Sequence, residues 1–171
     1  MDDSSKSGAG TGKEIEMKKS ALYKPLFFIL FLVLLYGIFT VFFPEEKPVL
    51  NGPYHVVRII DGDTIVVDIG GQNTTIRLIG VDAPESVHPD EEQNTPEGIA
   101  ASNWMEELLS GKSVFLEYDV ELYDTYGRTL AYVYLEDATT MVNLMLLEEN
   151  QAECMIIAPN TKYEDLFISV N

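Results

Sequence analysis

The chain has 171 residues with a single cysteine and two histidines, so an internal disulfide is excluded and a Cys/His zinc centre has too few ligands. Residues 51–171 carry 5 Lys/Arg against 22 Asp/Glu, whereas residues 1–50 balance 6 against 6, so the whole net charge of −17 sits on the C-terminal two thirds. That count argues against nucleic-acid binding, which usually leaves a basic footprint; a solvated acidic surface serving solubility is the simplest reading.

Residues 1–24 are predicted to be a cytoplasmic tail, its first 17 residues rich in Ser, Gly and charge and expected to be disordered. An apolar run follows, with no charged side chain over residues 26–43. As a helix it would reach roughly 27 Å, close to the thickness of a bilayer's hydrocarbon core. A secretory signal would have a shorter apolar core and small residues at a cleavage site. This run ends instead in Thr40-Val41-Phe42-Phe43-Pro44. Residues 25–43 are therefore read as an uncleaved anchor in the lipid bilayer. Lys18, Lys19 and Lys24 precede it, while Glu45, Glu46 and Lys47 follow, which places the N-terminus in the cytoplasm and the rest outside the cell. Residues 44–53 read as a linker.

Residues 54–171 suffice for one domain with one core. Residues 54–60 are β-rich, Asp61-Gly62-Asp63 is a turn signal, residues 64–69 form a second strand, and Gly70-Gly71 turns the chain into a third strand, 74–80. The period then changes. Thr95 can cap a helix that has Pro96 at its first position, and Ala101, Met105 and Leu109 recur four apart until Gly111 stops it. Residues 113–118 and 129–135 read as two more strands. Residues 141–147 read as a second helix with Thr140 as cap, and the capping box of Thr161 and Glu164 opens a third. Cys154 is expected to be a buried small apolar residue. Three strands, a helix and two strands fit a five-stranded OB-fold barrel with two to three packed helices, an α+β domain that is mainly β.

Carboxylates concentrate at the strand junctions: Asp61 and Asp63 at the first turn, Asp82 and Glu85 just after the third strand. In a meander these turns can face one another, crowding four acids that repel unless a cation intervenes. Hard oxygen ligands without His or Cys suit Ca²⁺ or Mg²⁺. Asp-Gly pairs are also ordinary turn chemistry. Arg77 lies inside the third strand and Arg128 in a turn before the fifth; residues 51–171 contain only one other arginine, Arg58. A divalent ion, two guanidiniums and a carboxylate base such as Glu85 are what phosphoryl chemistry requires.

Ile60-Asp61-Gly62-Asp63-Thr64, Arg77-Leu78-Ile79-Gly80-Val81-Asp82-Ala83-Pro84-Glu85 and Asp124-Thr125-Tyr126-Gly127-Arg128-Thr129-Leu130-Ala131-Tyr132-Val133 resemble, in order and spacing, the three signature stretches of the staphylococcal nuclease family. Met141-Val142-Asn143 and Pro159-Asn160 also fit, so the resemblance covers about residues 54–167. It implies an OB-fold enzyme that hydrolyses DNA and RNA, by endo- or exonucleolytic cleavage, with Ca²⁺ and leaves a 3′-phosphate. By resemblance Asp63 and Asp82 bind calcium through carboxylates and Ala83 through its carbonyl, Ala83 standing where relatives carry Thr. Glu85 matches the residue that activates water, and Arg77 and Arg128 match the pair that bind the phosphate and stabilise the transition state. Tyr126 matches a tyrosine beside the nucleotide, and Asp61 an acid that supports the ligands without binding the ion. No protein partner is implied, and a monomer is expected.

The sequence departs from the family where nucleic acid would be gripped. The loop 86–93 is acidic where relatives often place lysines, Thr125 replaces a lysine, and Met155, Ile156 and Ile157 stand where some members have tyrosines. These losses predict weak polynucleotide binding. The short third helix predicts reduced domain stability. A catalytically weak binding module on the same scaffold is the competing expectation.

Overall fold

The computed structural model describes residues 11–42, 47–86 and 94–170. The first ten residues of the predicted tail, the junction at 43–46 and most of the acidic loop (87–93) lie outside them. Two units are distinct, residues 1–47 and 48–171.

The first unit is one helix, α1 (Thr11–Phe42), with Pro25 inside it. It starts earlier than the tail assignment expected, because residues 13–22 are mostly good helix formers such as Lys, Glu, Met, Ala and Leu. Its segment Pro25–Phe42 has a mean hydropathy of 2.6 and is long and apolar enough to cross a membrane.

The second unit is built on a closed barrel of β1 (Asn51–Asp61), β2 (Thr64–Ile69), β3 (Gln72–Leu78), β5 (Ser113–Glu117) and β6 (Thr129–Tyr134), in the order β1-β2-β3-β6-β5. The strands pair antiparallel except β3 and β6, which run parallel. β1 begins inside the segment read as linker. Two register shifts against β2 and one against β5 bend this long strand, so that it pairs with both neighbours and closes the barrel. The OB-fold expectation holds. Ile65, Val67, Ile76, Leu78, Val114, Leu116, Ala131 and Val133 are buried at the strand positions that fill the core.

The predicted third strand is interrupted. Ile79 is a turn, and Gly80, at φ +81°, redirects the chain into β4 (Gly80–Asp82). β4 pairs with β7 (Glu153–Met155), a two-stranded sheet that period-2 patterning does not reveal in strands this short. Cys154 lies on β7, partly rather than fully buried.

α2 (Pro96–Leu109) is capped as expected, with the Thr95 hydroxyl accepting from the Gly98 amide at 3.0 Å, and it buries Ala101, Met105 and Leu109. α3 (Val142–Glu148) starts at Met141 without a side-chain cap, because the Thr140 hydroxyl donates to Asp137 instead. α4 (Glu164–Val170) docks through Phe167, which is fully buried against Tyr132 and Tyr163. Glu117, 2% exposed, accepts from the hydroxyls of Tyr134 and Tyr163 and from Lys162, and so ties β5, β6 and the approach to α4 together.

Asn143 on α3 is fully buried and bridges two elements. Its Nδ2 donates to the Ile79 carbonyl and its Oδ1 accepts from the Val133 amide, both at 2.8 Å. Asn143→Ala would leave both backbone groups buried and unpaired at the bend that aims β4. The expected cost is about 2–4 kcal/mol, read as a lowered urea midpoint.

Candidate active site

Arg77 and the turns around it form the site's centre. The strand period sends Ile76 and Leu78 into the barrel and Arg77 to the other face, where it is nevertheless only 9% exposed. Its Nη1 donates to the carbonyls of Leu78 (3.0 Å) and Val81 (2.8 Å). Its Nη2 stands 3.0 Å from Asp63 Oδ2 and 2.9 Å from Asp82 Oδ1. One guanidinium thus joins the β1–β2 turn to the segment after β3.

Two close approaches bring these turns together. A Cβ on Gly62 would sit 2.6 Å from the Cβ of Ala83 and 2.8 Å from that of Ala101. A Cβ on Gly98 would sit 2.2 Å from the Glu85 carbonyl oxygen. Glycine alone lets the turn, the Asp82–Glu85 segment and α2 touch.

Asp63 is buried and held on several sides. Its Oδ1 accepts from the Thr64 hydroxyl (3.0 Å) and its Oδ2 from the Ala83 amide (2.8 Å), while its own amide donates to Asp61 Oδ1 (3.1 Å). Burial pushes its carboxyl up to about 7, against the pull of Arg77 and with the push of Asp61. Asp61 shares the turn with Asp63 and accepts from its amide.

The expected crowd of four carboxylates takes a different form. Among the described residues no group of three Asp, Glu, His or Cys side chains converges as a metal cluster. Asp63 and Asp82 meet across Arg77, and Asp82 is half exposed. The Glu85 side chain is exposed, with Oε1 accepting from the Ser86 amide at 3.1 Å. The donors nonetheless suit a hard cation: two carboxylates on one nitrogen, one buried at a cost, and the Ala83 backbone fixed to it.

Arg128 is set by a tight turn. Asp124 Oδ1 accepts from the Tyr126 and Arg128 amides, both at 2.9 Å, and Oδ2 from Arg128 Nε at 2.6 Å. Burial works to raise Asp124, but these bonds outweigh it and hold the carboxyl below its usual range. Arg128 lies over the Tyr126 ring at 5.5 Å, and Tyr126 is 86% exposed. Both arginines line one pocket of about 270 Å³, together with Asp124, Thr125, Leu130, Met155 and Ile157. The pocket wall formed by Met155 and Ile157 is aliphatic. Asp63, Asp82, Ala83, Glu85 and Tyr126 are not among the lining residues, so Arg77 is the link: it pairs with Asp63 and Asp82 on one side and shares the pocket with Arg128 on the other.

The profile of the family described as "Staphylococcal nuclease homologue" matches residues 75–171, more than half of the chain. The chain belongs to the staphylococcal nuclease family. It is 50% identical over 113 residues to a thermonuclease of Staphylococcus intermedius, covering 66% of each chain. It is 45% identical over 112 residues to a thermonuclease of Staphylococcus hyicus, covering 66% of this chain and 64% of that one. Endonuclease YncB of Bacillus subtilis is 41% identical over 112 residues, 64% of this chain and 52% of its own. The match thus spans just under two thirds of the two thermonucleases and about half of the endonuclease.

Several residues that shape this site drew no role from sequence. Asp124 orients Arg128, and its spacing of four from the arginine across a Gly turn is a readable Asx-turn signal. Asn160 is buried and pairs through its side chain with both the amide and the carbonyl of Glu121, fixing the segment that leads to Arg128. Gly98 had no signal beyond a glycine in a helix.

The raised Asp63 carboxyl sets a pH dependence in metal-free buffer. Between pH 4 and 7 the folded state keeps a proton that the unfolded chain has shed, so stability from this group falls as pH rises, by at most about 1.4 kcal/mol per unit. Asp63→Asn removes that fall. Thermal melts in chelator should match near pH 4 and diverge in the variant's favour toward pH 8; parallel curves would refute the buried carboxyl.

Proposed function

We propose that this chain is a membrane-anchored nuclease that uses calcium to hydrolyse phosphodiester bonds of DNA or RNA outside the cell, with 3′-phosphate products. The observation that carries this reading is the position of Arg77, which touches Asp63 and Asp82 and shares a pocket wall with Arg128. The names of the relatives, two thermonucleases and an endonuclease, agree with it.

Asp63, Asp82 and the Ala83 carbonyl would hold the ion, whose charge, when bound, would draw density from the phosphate oxygens. Arg77, now shared by the two aspartates, would turn toward the phosphate once a cation takes over their neutralisation. Arg128, oriented by Asp124, would meet the same phosphate from the other side of the pocket. Glu85 would swing in from its exposed position to take a proton from water as the water oxygen attacks phosphorus. The bond to the 5′-oxygen breaks, that oxygen takes a proton from solvent and leaves as the 5′-hydroxyl, and the phosphate stays on the 3′ side. Tyr126 would lie beside the nucleotide at the pocket mouth. Residues 25–43 supply the anchor, and the lysines before it favour an external domain.

Full-length protein in detergent micelles should cleave single-stranded DNA with calcium and not with chelator, and Glu85→Gln should lower kcat by about 10²–10⁴. Calcium-independent binding without cleavage would favour a binding module. A Glu85→Gln protein as active as wild type would remove Glu85 from the mechanism. With two arginines at the pocket, the logarithm of affinity should fall against that of salt with a shallow slope of about 1–2.

A further inference from the structure

A second groove lies across the 122–129 turn from the arginine pocket. It encloses about 610 Å³ between the β2–β3 hairpin and this turn. Its lining includes Gln72, Asn73, Thr75, Tyr118, Leu122 and Tyr123, and no charged side chain lines it. The two cavities share their partition. Arg128 faces the first and its chain neighbours Gly127 and Thr129 the second; on β3, Arg77 belongs to the first and Thr75 to the second. The partition is one narrow ribbon, closed by the Tyr123–Thr129 bridge and by the Asp124 amide donating to the Arg128 carbonyl.

We infer that this groove is a second subsite, which holds unpaired bases of a single-stranded nucleic acid whose phosphate sits between Arg77 and Arg128. This rests on the nuclease reading. Leu122 and Tyr123, which line the groove, are exposed at 45% and 59%, and Tyr126, 86% exposed, belongs to the same 122–129 turn. Tyr123 offers a stacking face, and Gln72, Asn73 and Thr75 offer donors and acceptors of the kind that base edges require. The volume falls within the range of small-ligand sites. On a domain with 22 acids against 5 bases, a groove lined by no charged side chain brings no carboxylate against a polyanion. Stacking here would supply affinity that the missing lysines do not.

The test compares kcat/KM on a dinucleotide and on a single-stranded octanucleotide, with full-length protein and calcium. Wild type should prefer the octanucleotide, and Tyr123→Ala and Asn73→Ala should each lower that octamer-to-dimer ratio, by about tenfold for the tyrosine. Tyr123→Phe, which keeps the ring, should restore it. Both positions are exposed, and melting curves check that the variants fold. A ratio unchanged in Tyr123→Ala and Asn73→Ala overturns the subsite while leaving the nuclease reading intact. If no variant cleaves anything, the nuclease reading fails, and octanucleotide affinity by fluorescence anisotropy decides the subsite: unchanged affinity in Tyr123→Ala overturns it, and a loss supports it.

Discussion

The second unit depends on how the Arg77 guanidinium is shared. Its two terminal nitrogens reach two carboxylates and two backbone carbonyls, and those four partners come from the β1–β2 turn, the end of β3 and β4. A buried charge in this position is costly unless its hydrogen bonds are satisfied, and here each bond also fixes a piece of chain. The same contacts hold Asp63 and Asp82 at one nitrogen. Arg77 thus holds the fold together here while it separates two acids that would otherwise repel.

Close backbone packing makes that sharing possible. Gly62 against Ala83 and Ala101, and Gly98 against Glu85, press three segments together without intervening side chains. Asn143 then holds the Ile79 bend from behind, and Asn160 holds the Glu121 segment that leads to Arg128. The barrel alone would leave these turns as separate loops. Small residues and side-chain amides that imitate backbone pairing turn them into one rigid rim, which keeps two arginines on a common pocket.

Much of the barrel was legible because its cues are local. Runs of β-branched residues mark β2 and β3, Gly70-Gly71 marks their hairpin, and Thr95-Pro96 marks the start of α2. The β4–β7 sheet was not legible, since three-residue strands carry no period and their pairing joins residues far apart in sequence. Thr140 misled as a cap because Asp137 competes for its hydroxyl, a tertiary choice that the one-dimensional pattern does not contain. At the site, the motifs named Asp63, Arg77, Asp82 and Arg128, and the coordinates bring the first three into contact and the two arginines into one pocket. The four acids do not crowd, because Arg77 lies between Asp63 and Asp82 and the exposed Glu85 turns to the Ser86 amide. Glu85 and Tyr126 are exposed, and few tertiary contacts of the kind that sequence motifs encode fix where their side chains point.

The central claim is that Asp63 and Asp82 form a cation site which Arg77 occupies only by default. Calorimetric titration of calcium into the full-length protein at pH 7, in buffers of different ionisation enthalpy, tests it most directly. The account predicts a tightest site that releases a fraction of a proton from Asp63 on binding and disappears in Asp63→Asn, while looser binding to the acidic surface persists. Equal affinity and equal proton release in wild type and Asp63→Asn would contradict it.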